Sequence, residues 1–150
     1  MRKKLAIAFA AAILSTSLTA CSGAGNDAPT RMINQVTDGV EANLASEGNL
    51  IYLRNIYVLV NEAGDASLVG TIVNQKPTQD ALVAVAINQV GIKLDAIPAL
   101  QNKPIIFGGP SENATAVIPA AGLIAGHRVP VSFFFGLAGS VSVDALVVKA

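Results

Sequence analysis

The chain has 150 residues, of which 52% are hydrophobic and only 13% are charged. Ten basic residues balance ten acidic ones, so the basic surface that nucleic-acid binding requires is absent and no nucleic-acid partner is expected. The length suffices for one ordinary domain and is short for two.

The first segment has the layout of a secretory signal. Residues 2–4 are basic, residues 5–14 are uncharged and apolar, and residues 15–20 are small and mildly polar, an order typical of exported proteins. The uncharged stretch over residues 5–20 is shorter than the roughly 20 residues that a membrane-spanning helix needs. A conventional leader cleaved after residue 20 and an uncleaved anchor are the alternatives.

Cys21 directly follows this leader and is the only cysteine of the chain. It therefore has no disulfide partner within the chain, and exported proteins rarely leave a single thiol exposed. Residues 18–21, Leu-Thr-Ala-Cys, resemble the lipobox of bacterial lipoproteins. The resemblance implies cleavage before Cys21 and a diacylglycerol, with fatty acids such as palmitate, on its sulfur. Two acyl chains suffice for stable anchoring.

These observations predict a lipid-anchored protein on the extracytoplasmic face of the cell membrane, which contacts the lipid bilayer through acylated Cys21. Ser22 lacks the negative charge that favours inner-membrane retention, so the outer membrane is expected where the organism has one. We expect a signal peptide over residues 1–20, a flexible tether over residues 21–32 and one folded domain over residues 33–150.

The mature chain would have seven basic and ten acidic residues, a net charge of −3. Its surface must then consist mainly of uncharged side chains. Neutral surfaces promote association, which favours an extracytoplasmic protein partner. The alternative is that a tethered protein simply has less need of solubility.

From residue 35 onwards the chain alternates between short apolar runs and turn residues. Such runs, spaced by roughly 8–12 residues, indicate an all-β sandwich, and no helical period follows the leader. Residues 91–110 contain several Pro and Gly and predict at most short edge strands at 92–94 and 104–107. Other strands are predicted over residues 35–44, 50–61, 66–74, 80–88 and 112–118.

Two of these regions make specific predictions about which side chains face the core. Four alternating residues of the strand over residues 80–88 share one apolar face: Ala81, Val83, Val85 and Ile87. The final hairpin has the clearest period of two, and we expect Phe134, on its outer face, to be covered by a loop or by the opposite rim. Its inward residues are Val129, Val131, Phe133, Phe135, Val141, Val143, Ala145 and Val147, and its outward ones Ser140, Ser142 and Asp144.

Two parts of the chain resemble the PCuAC-type periplasmic copper chaperones, especially a branch found among actinobacterial lipoproteins. The first comprises residues 68–74, Leu-Val-Gly-Thr-Ile-Val-Asn, and residues 80–83, Asp-Ala-Leu-Val. The second comprises residues 122–135 and 138–143 and resembles the closing hairpin of that family. The resemblance implies a cupredoxin-like, immunoglobulin-like Greek-key β-sandwich.

The same resemblance implies copper transfer, yet the ligands of the family do not carry over. Its site consists of a His, a Met and a His-x-Met pair, because Cu(I) prefers soft donors. The corresponding stretches here, residues 88–96 and 111–117, contain neither residue type. After removal of the leader, the chain would contain one His, His127 in a predicted turn, and one Met, Met32. We therefore expect no metal or other cofactor, with copper held by His127 and Met32 as the alternative.

No constellation of catalytic residues is present either. The chain has a single His and no Gly-x-Ser-x-Gly elbow, and acid pairs such as Glu62 and Asp65 lie in polar turns, so we expect no catalytic residue and no enzyme. Tyr52 and Tyr57 could line a pocket, although core packing is the commoner role of such residues. The sequence thus predicts a non-enzymatic binding or assembly module on a copper-chaperone-like scaffold. The alternative is a chaperone that delivers copper to an extracytoplasmic acceptor through an atypical site.

Overall fold

The computed structural model describes residues 39–150, and every regular element in that part of the chain is a β-strand. The described part contains no helix long and apolar enough to cross a membrane. The nine strands are β1 (Val40–Ser46), β2 (Asn49–Val60), β3 (Ala66–Asn74), β4 (Asp80–Ile87), β5 (Val90–Ala99), β6 (Ile105–Phe107), β7 (Val117–Ile118), β8 (Arg128–Phe135) and β9 (Ser140–Lys149).

The strands form two layers that join along one side. One sheet contains β1, β2 and β3, with β6 and β7 both paired to β3. The other has the order β5-β4-β8-β9. A short parallel pairing of Val58–Val60 with Val147–Lys149 connects the two sheets. The chain crosses between sheets after β3, β5 and β7, so the predicted all-β, Greek-key sandwich is confirmed.

The space between the sheets is filled by one continuous apolar core. Phe107 from the first sheet and Phe133 from the second are the largest fully buried side chains. The predicted inward faces of β8 and β9 are confirmed, since their alternating apolar residues are buried or half-buried and the intervening Ser140, Ser142 and Asp144 are exposed. A period of two therefore positions both strands as the sequence predicts.

A bulge in β2 shifts the phase of its side chains. Arg54 pairs with Thr71 but Tyr57 pairs with Val69, so β2 contains one extra residue at Asn55, whose φ is 53°. Opposite this bulge lies Gly70, which has a φ of 148° and passes close to the backbone of β2. Because of this extra residue, the inward-facing side chains of β2 are buried both before and after the bulge.

A second bulge corrects the prediction for β4. Leu82 and Ala84 are opposite the adjacent residues Phe135 and Phe134 of β8, so Val83 is the extra residue. Ala81 and Val83 therefore lie half-buried on the outer face, and the predicted set of four residues was wrong in its first half. The buried side chains of β4 are Asp80, Leu82, Val85 and Ile87.

Three further predictions are corrected by the fold. Residues 90–99 form a full edge strand, because β4 supplies backbone partners along both halves of the Pro- and Gly-containing segment. The strand predicted over residues 112–118 is reduced to Val117–Ile118. Phe134 is not covered but 40% exposed, because its neighbours across the strands, Ala84 and Ser140, are small.

The connections gather at two opposite ends of the sandwich. We call the first the Asp80 end, and it comprises residues 46–49, 75–79, 100–104 and 136–139. The second, the His127 end, comprises residues 61–65, 88–89 and 119–127.

Candidate functional site

The fold brings together the two segments in which the family resemblance expects copper ligands. The first segment, residues 88–96, lies mostly in β5. The second, residues 111–117, ends at the first residue of β7, and β5 contacts β7. Their polar side chains are amides, hydroxyls, Lys93, Asp95 and Glu112. Within residues 39–150 no three side chains of His, Cys, Asp or Glu lie close enough together to hold a metal ion.

His127 lies in the loop before β8 and is exposed, as predicted for a turn residue. Its backbone is fixed, since its N–H donates to the carbonyl of Ile124 (3.2 Å) and its carbonyl accepts from Val147 (2.8 Å). Met32 and Cys21 lie outside the described residues. A joint site of His127 and Met32 and the lipidation of Cys21 therefore stay predictions.

A groove of about 450 Å³ crosses the outer face of the first sheet. Its floor is formed by side chains of β2 and β3 that point away from the core, chiefly Tyr57, Leu59 and Val69, and one wall is the segment 108–117. This volume lies within the range of protein sites for small ligands, and most of the lining is apolar. The groove thus borders the stretch that carries the His-x-Met pair in the PCuAC family.

The wall of the groove is held in place by two polar side chains. Both oxygens of the Glu112 carboxylate accept hydrogen bonds, from the backbone of Gly108 (3.1 Å) and from the hydroxyl of Thr115 (3.0 Å). Asn113 accepts from the N–H of Ile106 (2.8 Å) and donates to the carbonyl of Pro104 (3.0 Å). A loop cross-linked in this way offers a preformed surface rather than one that must be ordered on binding.

The buried carboxylate of Asp80 organises one end of the molecule. It accepts hydrogen bonds from the backbone N–H groups of Ala81 (2.7 Å), Leu137 (2.8 Å) and Ala138 (2.8 Å). The last two donors belong to the turn between β8 and β9, more than 50 residues away in sequence. Asp80 therefore fixes this turn against the start of β4.

Asn74 performs the corresponding role for the other loops of the Asp80 end. Its side-chain amide nitrogen lies within hydrogen-bonding distance of the carbonyls of Thr78 (2.7 Å) and Ala99 (3.1 Å) and of the side chain of Asn49 (3.1 Å). Its side-chain oxygen accepts from the N–H of Lys76 (3.1 Å). Asn74 and Asp80 flank the polar turn of the first segment that resembles the PCuAC family. In the structure both side chains hold the loops of this end in place by hydrogen bonds.

At the opposite end, Asp65 links two loops. Its carboxylate accepts from the N–H of Ala120 (3.0 Å) and from the side chain of Asn61 (3.1 Å). These two donors stabilise the ionised form and hold the pKa of Asp65 below its ordinary value of 3.8.

Sequence reasoning missed the groove as a feature of the outer face. Tyr52 and Tyr57 are half-buried on that face, so the expectation of core packing was wrong for both, and the alternative of a pocket holds for Tyr57. The available signal was that most outward positions of β2 are apolar or aromatic, as its inward positions are. The segment over residues 108–117, which turns this face into a groove, contains no periodic pattern that predicts its path.

The sequence matches no known family and no curated protein, whereas the fold resembles several solved domains. The apo PCuAC domain from PmoF1 is 19% identical with a TM-score of 0.57, over 74% of this chain and 100% of that domain. The copper-bound PCuAC domain from PmoF2 is 18% identical with a TM-score of 0.55, over 74% and 99%. The apo PmoF2 PCuAC domain is 18% identical with a TM-score of 0.53, over 72% of this chain and 95% of that domain. The protein therefore has the fold of a PCuAC domain.

Proposed function

We propose that this protein is a lipid-anchored, extracytoplasmic binding module without enzymatic activity, which has the scaffold of a PCuAC domain but not its copper-donor set. The single observation that carries the proposal is the contrast between fold and side chains. β5, which contains most of the first segment expected to carry ligands, contacts β7 at the end of the second, yet the two segments supply amides, hydroxyls, an amine and carboxylates. Cu(I) prefers thioether, thiolate and imidazole donors, so these residues do not fit it.

The groove over Tyr57, Leu59 and Val69 is the surface we assign to binding. Its floor is apolar, its wall is preformed by Glu112 and Asn113, and it borders residues 111–117, one of the two segments in which the resemblance expects ligands. We propose that it receives an apolar side chain from an extracytoplasmic partner protein.

Copper titration tests the central claim. The protein and its His127→Ala variant are both expected to lose Cu(I) completely to a chelating competitor, because one imidazole alone is a poor Cu(I) site. Tight Cu(I) binding that disappears in His127→Ala or in Met32→Ala would instead support the alternative, a copper chaperone with an atypical site.

Mass spectrometry of the membrane fraction tests the anchor. We expect a chain that begins at Cys21 and carries a diacylglycerol, and a Cys21→Ser variant that lacks this modification. An unmodified polypeptide that begins before Cys21 would refute the anchoring.

Photo-crosslinking in intact membranes tests the groove. A crosslinking amino acid in place of Val117, a 40% exposed residue at the groove, should capture a partner that is lost when Leu59→Arg is added. The matched control replaces Ser142 on the outer face of the other sheet and should capture none. Equal capture at both positions would argue against the groove.

A further inference from the structure

The Asp80 end exposes large apolar side chains on a rigid support. Leu137 at the tip of the β8–β9 turn is 58% exposed, and Leu100 after β5 is 37% exposed. Phe134, at the base of the same turn, is 40% exposed. An exposed apolar residue is ordinary by itself, but Leu137 and Leu100 belong to loops of the same end, and Phe134 lies in β8 just before one of these loops.

The hydrogen bonds of this end make its loops one surface. Asp80 binds the backbone of Leu137 and pairs with Ala99, the residue before Leu100. The side chain of Gln101 donates to the carbonyl of Gln75 (3.2 Å), and the N–H of Asn102 donates to the carbonyl of Asn74 (2.8 Å). The two loops that carry Lys76 and Lys103 are thereby held side by side.

The distribution of charge distinguishes the two ends. The Asp80 end carries the exposed side chains of Lys76 and Lys103 against exposed Glu47 and buried Asp80, so it is neutral overall with its two amines at the surface. Ile124 and Val90, at the opposite end, are also 64% and 51% exposed, so apolar exposure alone does not decide between the ends. The loops of the His127 end, counted in the same way, carry Glu62 and Asp65 and contain no Lys or Arg.

We infer that the Asp80 end docks onto a lipid bilayer with anionic headgroups, with Leu137 and Leu100 entering the interface and Lys76 and Lys103 contacting the headgroups. The inference rests on the proposed function, because the bilayer is the one to which Cys21 would anchor the chain. Residues 21–38 span at most about 60 Å when extended, enough to reach either end of the domain. The tether also raises the effective concentration of bilayer, so weak contacts suffice.

This orientation has a consequence for the binding site. The groove lies in the half of the first sheet nearer the His127 end, since it includes Leu59 and Ser67. A domain resting on its Asp80 end would hold the groove away from the membrane and open to a partner.

A tryptophan at either end reports which end meets the lipid. The chain has no Trp and a single Cys, so protein from Cys21 to Ala150 can be coupled through Cys21 to a maleimide lipid in vesicles of phosphatidylglycerol and phosphatidylcholine with brominated acyl chains. We expect several-fold stronger quenching of Leu137→Trp than of the matched control Ile124→Trp. Adding Lys76→Glu and Lys103→Glu should remove the difference, and circular dichroism checks that each variant is folded.

Three results would overturn the inference: no quenching at residue 137, equal or stronger quenching at residue 124, or quenching at residue 137 that survives the charge reversals. Protection of residue 137 in native membranes but not in vesicles would mean that this end meets a protein, and the inference would be wrong. Chemical coupling replaces the cellular anchor, so the result does not depend on whether cells acylate Cys21. Mass spectrometry tests that question separately.

Discussion

Asp80 is the residue on which the shape of one end depends. Its carboxylate accepts hydrogen bonds from the backbone N–H groups of Leu137 and Ala138. In Asp80→Asn one oxygen becomes an N–H₂ donor that faces those N–H groups. Because hydrogen bonds to a charged group contribute about 1.5–3 kcal/mol each, we expect a loss of about 2–4 kcal/mol in the free energy of unfolding, measured with urea.

The matched control for this prediction is Asp144→Asn. Asp144 is exposed on the outer face of β9, and Arg128 contacts its backbone carbonyl rather than its carboxylate. The substitution should change stability by less than about 0.5 kcal/mol. Equal losses in the two variants would show that the hydrogen bonds of Asp80 contribute little.

Asp65 predicts a pH dependence of stability. Its folded-state pKa lies below 3.8, chiefly because Ala120 donates to the carboxylate and also because Asn61 does. Between the folded pKa and 3.8 the unfolded chain binds more protons, so stability rises with pH there. The contribution is complete above this window and disappears as the pH falls through the folded pKa.

Two measurements check this prediction. The difference in Tm between the protein and Asp65→Asn should be constant near neutral pH and shrink below pH 3.8. The pKa of Asp65, read from the NMR shift of its carboxyl carbon, should move up toward 3.8 in Asn61→Ala. A difference in Tm that is unchanged in acid would contradict the assignment.

At the scale of single elements, the bulge of β2 requires a glycine on β3. A Cβ on Gly70 would overlap the Cδ1 of Ile56 and lie 3.1 Å from the carbonyl oxygen of Asn55, and its φ of 148° disfavours other residues. Gly70→Ala should therefore cost about 2 kcal/mol or more of stability. Gly91→Ala, on edge strand β5 with no atom within 4 Å of the added Cβ, should change stability by less than about 1 kcal/mol. Urea unfolding distinguishes them, and equal effects would contradict the packing argument.

Sequence patterns predicted elements well where local and tertiary signals agree. The bounds of β3 at residues 66 and 74 and the alternation of β8 and β9 were correct, because turn residues bracket these strands and one face is buried. The faces of β4 were partly wrong since a bulge depends on the neighbouring strands rather than on local sequence.

The limits of prediction are clearest in the irregular parts of the chain. Pro98 lies within β5, and an edge strand tolerates a residue without an N–H group. The Pro-containing composition of residues 91–110 therefore led to a prediction of strands that were too short. The candidate site was even less predictable. The resemblance pointed to residues 88–96 and 111–117, but the groove depends on contacts between residues 108–117 and β3, and such contacts leave no periodic signal.

At the scale of the whole molecule, the two sheets should unfold together. Their inner faces form a single core cluster, and the parallel pairing of β2 with β9 continues the hydrogen bonding from one sheet into the other. Neither sheet could keep its inner face buried without the other, so a two-state transition is expected.

Two single-tryptophan variants test this cooperativity, Tyr57→Trp on the first sheet and Phe134→Trp on the second. Both sites are partly exposed on outer faces, so a larger ring needs no space in the core. In each variant the urea transition followed by fluorescence should superimpose on the transition followed by far-UV circular dichroism, which reports both sheets. Earlier loss of the Phe134→Trp signal would mean that the sheet containing the edge strand β5 unfolds first. In that case the three residue pairs between β2 and β9 would not suffice to make the two sheets unfold together.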